Sequence, residues 1–97
     1  MSDYRKLEVW QKAFGLTVDT IREADNVVGR TASIVRDQMV RSVLSIPSNI
    51  AEGSAKRSDR EFARFIRIAL GSATATENHI LVIGALNFHG PSDLHTV

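Results

Sequence analysis

Between positions 54 and 68 this 97-residue chain carries five basic residues and two acidic ones, a local charge of +3. The basic residues are Lys56, Arg57, Arg60, Arg64 and Arg67. On a helix of about 3.6 residues per turn, the last three arginines fall within about 60° of one another. The planar guanidinium of arginine suits phosphate oxygens, so this pattern predicts a surface that binds the backbone of a nucleic acid.

Two interpretations of this basic segment remain open. In a single chain, the plainer one is a solvated helix face on which Asp59 and Glu61 offset part of the charge. In an oligomer, the same charge forms a continuous positive rim, and phosphate binding strengthens with each counterion released. Phe62 and Phe65 are predicted to point into the core, so stacking of single-stranded bases is not indicated. We therefore expect backbone charge to dominate any nucleic-acid binding.

The other polar residues predict no catalytic or metal site. His79, His89 and His95 are ten and six residues apart, which is not the spacing of a metal-binding pair on a helix. The six serines between positions 42 and 72 lie outside any nucleophile-elbow motif. Glu52 has no carboxylate partner for acid–base chemistry, and the chain contains no cysteine. The sequence therefore predicts a protein without enzymatic activity, metal ion or cofactor.

Apolar residues recur at helical spacing in three segments, which must position the basic residues. The first stripe comprises Leu7, Trp10, Phe14, Val18, Ile21 and Ala24, and the second comprises Val35, Met39, Val43, Ile46 and Ile50. A third stripe begins at Phe62. The predicted helices are about 7–25, 34–52 and 59–88, with a connection at 26–33 and a tail at 91–97.

Three long helices joined by short connections indicate an all-α fold. We expect one domain, residues 1–97, folded as an up-and-down antiparallel helical bundle whose fourth helix is truncated or absent. Ser58 and Glu61 have the spacing of a capping box at the start of the third helix. Gly53 is predicted to occupy the left-handed position that follows the end of the second helix.

Pro47 lies inside the second predicted helix, where proline removes one hydrogen bond and crowds the carbonyl group four residues back. One interpretation is a fixed kink, with Ser45 and Asn49 satisfying the carbonyl groups that the kink frees. The other is a helix that ends at Ile46 and a new one that starts at Pro47. In both, the role of the proline is structural.

The second half of the third helix, residues 69–88, is apolar or small on every side. A helix without a polar face is buried all round, and at about 45 Å this helix is too long for two shorter partners to cover. We expect another subunit or a missing helix to cover it. The interface residues would be Leu70, Ala73, Ile80, Leu81, Ile83 and Leu86.

No membrane association is expected. The longest apolar run, Ile80 to Leu86, is far too short to cross a bilayer. The first ten residues are charged throughout, unlike a signal peptide. We therefore expect a cytoplasmic protein.

Three segments in order, LEVWQKA, SIPSNIAEG and EFARFIRIALGSATATE, resemble the four-helix-bundle proteins encoded by intervening sequences of bacterial large-subunit ribosomal RNA genes. The accessory variability proteins of diversity-generating retroelements are similar to that family. The resemblance covers roughly residues 4–90. It implies a bacterial ring-like homo-oligomer, a pentamer, with no known enzymatic activity. In the retroelement relatives the basic ring surface engages a reverse transcriptase and nucleic acid. Family members continue into a full fourth helix, whereas only residues 92–97 remain here.

Two classes of function follow. The first is a non-enzymatic oligomeric adaptor whose basic face binds RNA or an RNA-handling protein. The second is a structural or protein-interaction bundle that binds no nucleic acid and uses the apolar third helix, since exposed apolar patches mark such interfaces.

Overall fold

A computed structural model describes residues 3–87 of the chain. A single 3-10 turn, Tyr4–Lys6, precedes three α-helices: α1 at Glu8–Ala24, α2 at Arg30–Ser54 and α3 at Asp59–Asn87. Within the described residues there is no β-strand, which confirms the predicted all-α fold class. Helix α2 packs against both α1 and α3, and the unit is elongated, with extents of 51 × 22 × 20 Å.

Helix α2 begins at Arg30, four residues before the predicted start near position 34. The small polar residues that indicated a connection are helical, and the Ser33 hydroxyl donates to the Arg30 carbonyl at 2.7 Å. Gly29 is responsible, because its φ of 105° reverses the chain where a side chain would be strained. Helix α3 runs to Asn87. The predicted end at Phe88 and the predicted tail, 91–97, lie outside the described residues.

Pro47 lies inside a continuous α2, so the alternative of two separate helices meeting at Ile46 and Pro47 is wrong. The proline leaves the carbonyl oxygen of Val43 without its usual i+4 donor. That oxygen lies 3.1 Å from the hydroxyl of Thr17 on α1, which is also 2.7 Å from the Ala13 carbonyl. The single hydroxyl proton is thus shared between the two helices. A threonine of another helix therefore offsets the cost of the proline.

Ser45 and Asn49 do not perform this role. The Asn49 amide donates to the Ser45 carbonyl at 2.7 Å, and the Ser45 hydroxyl donates to the Ser42 carbonyl at 2.8 Å. Both acceptors already belong to the regular helical ladder, whereas Pro47 frees the carbonyl of Val43. The prediction that Ser45 and Asn49 satisfy the carbonyl group freed by Pro47 is therefore wrong. The fixed kink at Pro47 stays a prediction.

We expect Thr17→Val to lower the free energy of unfolding by about 1–3 kcal/mol, because it leaves a buried carbonyl group without a partner. Urea denaturation measures this loss. In a Pro47→Ala background the cost of Thr17→Val shrinks, since alanine at 47 restores the N–H that Val43 lacks. Thr74→Val is the matched control, because the exposed Thr74 hydroxyl bonds only within its own helix. Equal costs of Thr17→Val in both backgrounds would contradict the assignment.

Helix α1 buries only part of the face that its large apolar residues predict: Ala24 is buried, and Leu7, Trp10 and Ile21 pack against the core. Its buried residues are Ala13, Thr17, Thr20 and Ala24. Phe14, by contrast, is 50 % exposed, and Trp10 is half-buried. Small residues on the inner face let α1 approach α2 closely, so the larger side chains lie at the edge of this contact.

Close approach also defines the contact between α2 and α3. Ser45 pairs with Ser72, and Ser42 pairs with Thr76 at 2.8 Å, so the two helices run antiparallel. Gly53 lies in the last turn of α2 and has no positive φ, so the predicted left-handed position after the helix is wrong. This glycine serves packing: a Cβ atom there would lie 2.6 Å from the Cβ atom of Phe65.

Candidate nucleic-acid interface

One end of the bundle collects most of its positive charge. Here α1 begins, α2 ends and α3 begins, and we call this region the basic end. It contains eight of the chain's twelve Lys and Arg residues: Arg5, Lys6, Lys12, Lys56, Arg57, Arg60, Arg64 and Arg67. Five acidic residues lie with them, whereas the rest of the described chain has four basic and five acidic residues. Charge is therefore segregated along the long axis of the molecule.

The five basic residues predicted from the sequence all lie at this end, and all are exposed. Arg60, Arg64 and Arg67 belong to the first three turns of α3, and Lys56 and Arg57 belong to the turn before it. Within the described residues, Arg57, Arg60 and Arg67 form no ion pair with a carboxylate. Their charges are therefore available to an external anion.

Ser58 fixes the start of α3 beneath these residues. Its hydroxyl accepts a hydrogen bond from the backbone N–H of Glu61 at 3.1 Å, which is one half of the predicted capping box. The Glu61 carboxylate turns to Arg64 instead, with 3.3 Å between Oε2 and Nε. Such an exposed pair contributes little stability but orients the guanidinium.

Phe65 connects the α2–α3 turn with Arg60, Arg64 and Arg67 on α3, which we call the arginine stripe. Its side chain is buried, as the apolar pattern predicts, yet two cations lie over its ring. The Lys56 ammonium is 5.2 Å and the Arg64 guanidinium carbon is 4.7 Å from the ring centroid. Cation–π contacts of this kind are worth about 0.5–1 kcal/mol at exposed sites. The phenylalanine thus positions two of the predicted phosphate-binding residues.

Sequence reasoning missed Arg5 and Lys6, which the 3-10 turn adds to the basic end. The contact between this turn and α2 is tertiary, so no local pattern announces it. Leu7, the next residue, lines a cavity of about 170 Å³ together with residues of the α2–α3 turn, including Lys56 and Arg57. This contact of Leu7 therefore places the 3-10 turn at the same end of the bundle as the α2–α3 turn.

Arg5 is partly neutralised by its neighbour. Its guanidinium donates to both carboxylate oxygens of Asp3, with distances of 2.8–3.1 Å. Hydrogen bonds from Arg5 lower the pKa of Asp3, and the same contact raises the pKa of Arg5. Both groups are therefore ionised at neutral pH, and Lys6 contributes the net charge of this turn.

The residues predicted to form an oligomer interface divide into two groups. Leu70, Ile80, Leu81 and Leu86 are exposed on α3, with Leu70 and Leu81 more than 60 % exposed. Ile83, by contrast, is only 4 % exposed and packs in the core of its own chain, so its placement at an interface is corrected. Ala73 is half-buried against the other core cluster.

An apolar groove runs between α1 and α3 with α2 as its floor. Its first part is a cavity of about 220 Å³ whose walls include Val9 and Leu16 of α1 and Leu70 of α3. A second cavity of about 310 Å³ lies further along, between residues such as Glu23 and Ile80. The exposed apolar residues thus line a groove as well as a helix face.

No group of three or more His, Asp or Glu side chains among the described residues is placed to hold a metal ion. His79 is half-buried on α3, and His89 and His95 lie outside the described residues. None of the helices described is long and apolar enough to cross a membrane.

The chain matches the family of 23S rRNA-intervening sequence proteins over residues 5–97. It belongs to this family. The match confirms the resemblance carried by the three segments LEVWQKA, SIPSNIAEG and EFARFIRIALGSATATE. No curated protein and no solved structure matches the chain significantly.

Proposed function

We propose that this intervening-sequence protein is a non-enzymatic bundle that associates with copies of itself and binds the RNA backbone through its basic end. The single observation that carries the proposal is the set of arginines on α3 and in the turn before it. Arg57, Arg60 and Arg67 are exposed and, within the described residues, have no carboxylate partner. A bundle that needed charge only for solubility would have no reason to segregate it at one end.

Backbone charge would supply most of the affinity. Each phosphate neutralised by Lys or Arg releases condensed counterions, so the affinity rises with the number of contacts. Arginine forks also bind phosphate oxygens in pairs. The basic end of one chain is only about 20 Å across, which permits few phosphate contacts. RNA binding therefore benefits from several basic ends held together.

Self-association provides this arrangement. The exposed side chains of Leu70 and Leu81, about three turns apart on the same side of α3, form an apolar face that another copy would cover. A closed ring of such contacts, a pentamer in the proposal, would place the basic ends around one rim. With RNA as the partner, the protein would act in the cytoplasm.

The affinity for a structured RNA, measured by fluorescence anisotropy across salt concentrations, tests the proposal. We expect the logarithm of the association constant to fall linearly with the logarithm of salt, losing at least tenfold between about 50 and 200 mM. An association constant that does not change with salt, or no binding at the lowest salt concentration, would contradict RNA binding by the basic end.

A second candidate function rests on the groove between α1 and α3. Its almost entirely apolar walls suit an amphipathic helix of another protein, which would make the bundle a protein-interaction module. Purification from the native host separates the two candidates. Nucleic acid in the purified peak favours the first, and a stoichiometric second protein favours the groove.

A further inference from the structure

Three aromatic side chains form a shelf along the outer edge of α1. The rings of Trp10 and Phe14 stack, with centroids 4.9 Å apart and an interplanar angle of 28°. Tyr4, in the 3-10 turn, meets Trp10 edge to face at 5.3 Å. These contacts hold the three rings in fixed positions. Tyr4 and Phe14 are nevertheless exposed.

The shelf is one wall of a cleft of about 280 Å³, which we call the aromatic cleft. Its other wall belongs to α2 and includes Leu44, Pro47 and Ser48. Leu44 is 46 % exposed, so this wall is open to solvent as well. The cleft therefore presents apolar surfaces on two sides, and the Ser48 hydroxyl of the α2 wall donates to the Leu44 carbonyl.

Core packing accounts for only part of this arrangement, because Trp10 packs against the core cluster whereas Phe14 does not belong to it. The fully buried contacts of α1 are made by smaller side chains, Ala13 and Thr17 among them. The Phe14 ring lies beside this contact with half of its surface in water, an unfavourable place for an aromatic ring. A ligand that covered the ring would remove that cost.

The cleft adjoins the basic end. Tyr4 lines it, and Arg5 and Lys6 follow Tyr4 in the same 3-10 turn. Leu7 then reaches the cavity shared with the turn residues Lys56 and Arg57. The 3-10 turn therefore brings the positive charge of Lys6 and that of the partly neutralised Arg5 within two residues of Tyr4 in the cleft wall. A ligand that combines a flat ring with a negative charge fits this neighbourhood.

We propose that the aromatic cleft binds an unpaired nucleobase of a single-stranded RNA whose phosphates contact the basic end. Base stacking on aromatic side chains is tolerant of sequence and, combined with a cationic track, is the usual way of holding a single strand. This inference rests on the proposed function and adds a preference for unpaired nucleotides. It also revises the sequence-based expectation, which considered only the two phenylalanines of α3.

Trp10 is the only tryptophan in the chain, so its fluorescence reports directly on the cleft. The experiment titrates the full chain with a single-stranded oligouridylate and with an abasic oligomer of the same length and charge. Anisotropy of a label on each oligomer measures binding, and Trp10 emission measures stacking. We expect both oligomers to bind, the oligouridylate about tenfold more tightly, and only the oligouridylate to quench Trp10.

Variants of Phe14 provide the second test. Phe14→Leu removes the ring but keeps an apolar side chain, and we expect it to cancel the preference for the oligouridylate. Phe14→Tyr keeps the ring and should keep the preference. Leu16→Ala is the matched control, because Leu16 lies on the other side of α1 with a similar exposure of 45 %. Leu16→Ala should change the affinity for neither the oligouridylate nor the abasic oligomer.

The outcomes separate this inference from the proposed function. Equal binding of both oligomers without quenching would overturn base stacking and leave the basic end as the RNA-binding surface. Quenching by the abasic oligomer, or a full preference retained by Phe14→Leu, would also overturn stacking. Failure of both oligomers to bind would overturn both proposals.

Discussion

Replacing Gly53 with alanine is expected to lower the free energy of unfolding by about 3 kcal/mol, an unusually large effect for one methyl group. The added Cβ atom would lie 2.6 Å from the Cβ atom of Phe65 and 3.1 Å from Cδ1 of Phe62. A Cβ atom is fixed to its backbone and cannot rotate away, so α2 and α3 must separate. Separation would also disturb the pairing of Ser45 with Ser72.

Gly71→Ala is the matched control for this prediction. Gly71 is also helical, but a Cβ atom there would have nothing within 4 Å. Alanine is the better helix former by about 1 kcal/mol, so this substitution should stabilise the chain. Urea denaturation with circular dichroism measures both variants. A Gly53→Ala protein as stable as Gly71→Ala would show that the close contact with Phe65 does not exist.

The triple substitution Arg60→Gln, Arg64→Gln and Arg67→Gln is expected to reduce RNA affinity at least about 100-fold near 0.15 M salt. Each phosphate contact contributes a slope of about 0.7–0.9 in the logarithm of salt concentration, so three lost contacts remove about two units from the logarithm of the association constant. The slope itself should fall by about two to three. All three side chains are exposed, so the stability should fall by no more than the about 0.5–1 kcal/mol of the cation–π contact between Arg64 and Phe65.

A second triple variant, Arg22→Gln, Arg30→Gln and Arg41→Gln, removes the same charge from the other part of the molecule, where the side chains are also exposed. Long-range attraction alone would weaken RNA binding equally in both variants. We expect the control variant to retain most of its RNA affinity, because these arginines lie away from the basic end. Equal losses of RNA affinity in the two variants, or unchanged binding by the first variant, would show that the arginine stripe does not bind RNA.

Helical periodicity predicted the number and order of the helices because it is a local property of the sequence. It predicted only part of the face of α1 that packs on the core, with Trp10 and Ile21 correct and Phe14 wrong. Large apolar side chains such as Phe14 dominate a sequence pattern, whereas the close contact with α2 is made by Ala13 and Thr17. The same limit applies to Gly53, whose role depends on Phe65 of another helix.

The arginine stripe could be predicted because its members share one helix and therefore one geometry. The rest of the candidate site depends on tertiary contacts. Leu7, which follows Lys6, lines one cavity with Lys56 and Arg57 only when the 3-10 turn packs on the end of the bundle. Likewise, Thr17 meets the carbonyl of Val43 only when α1 packs on α2. No spacing within one segment indicates either contact.

The central claim is that copies of the chain cover one another's apolar faces and so bring their basic ends together. Light scattering on the purified chain, diluted stepwise, measures this most directly. The account predicts a molar mass that is a multiple of the 10.7 kDa chain, five times that mass for the proposed ring, and constant over the dilution. A stable particle of 10.7 kDa at every concentration would contradict it.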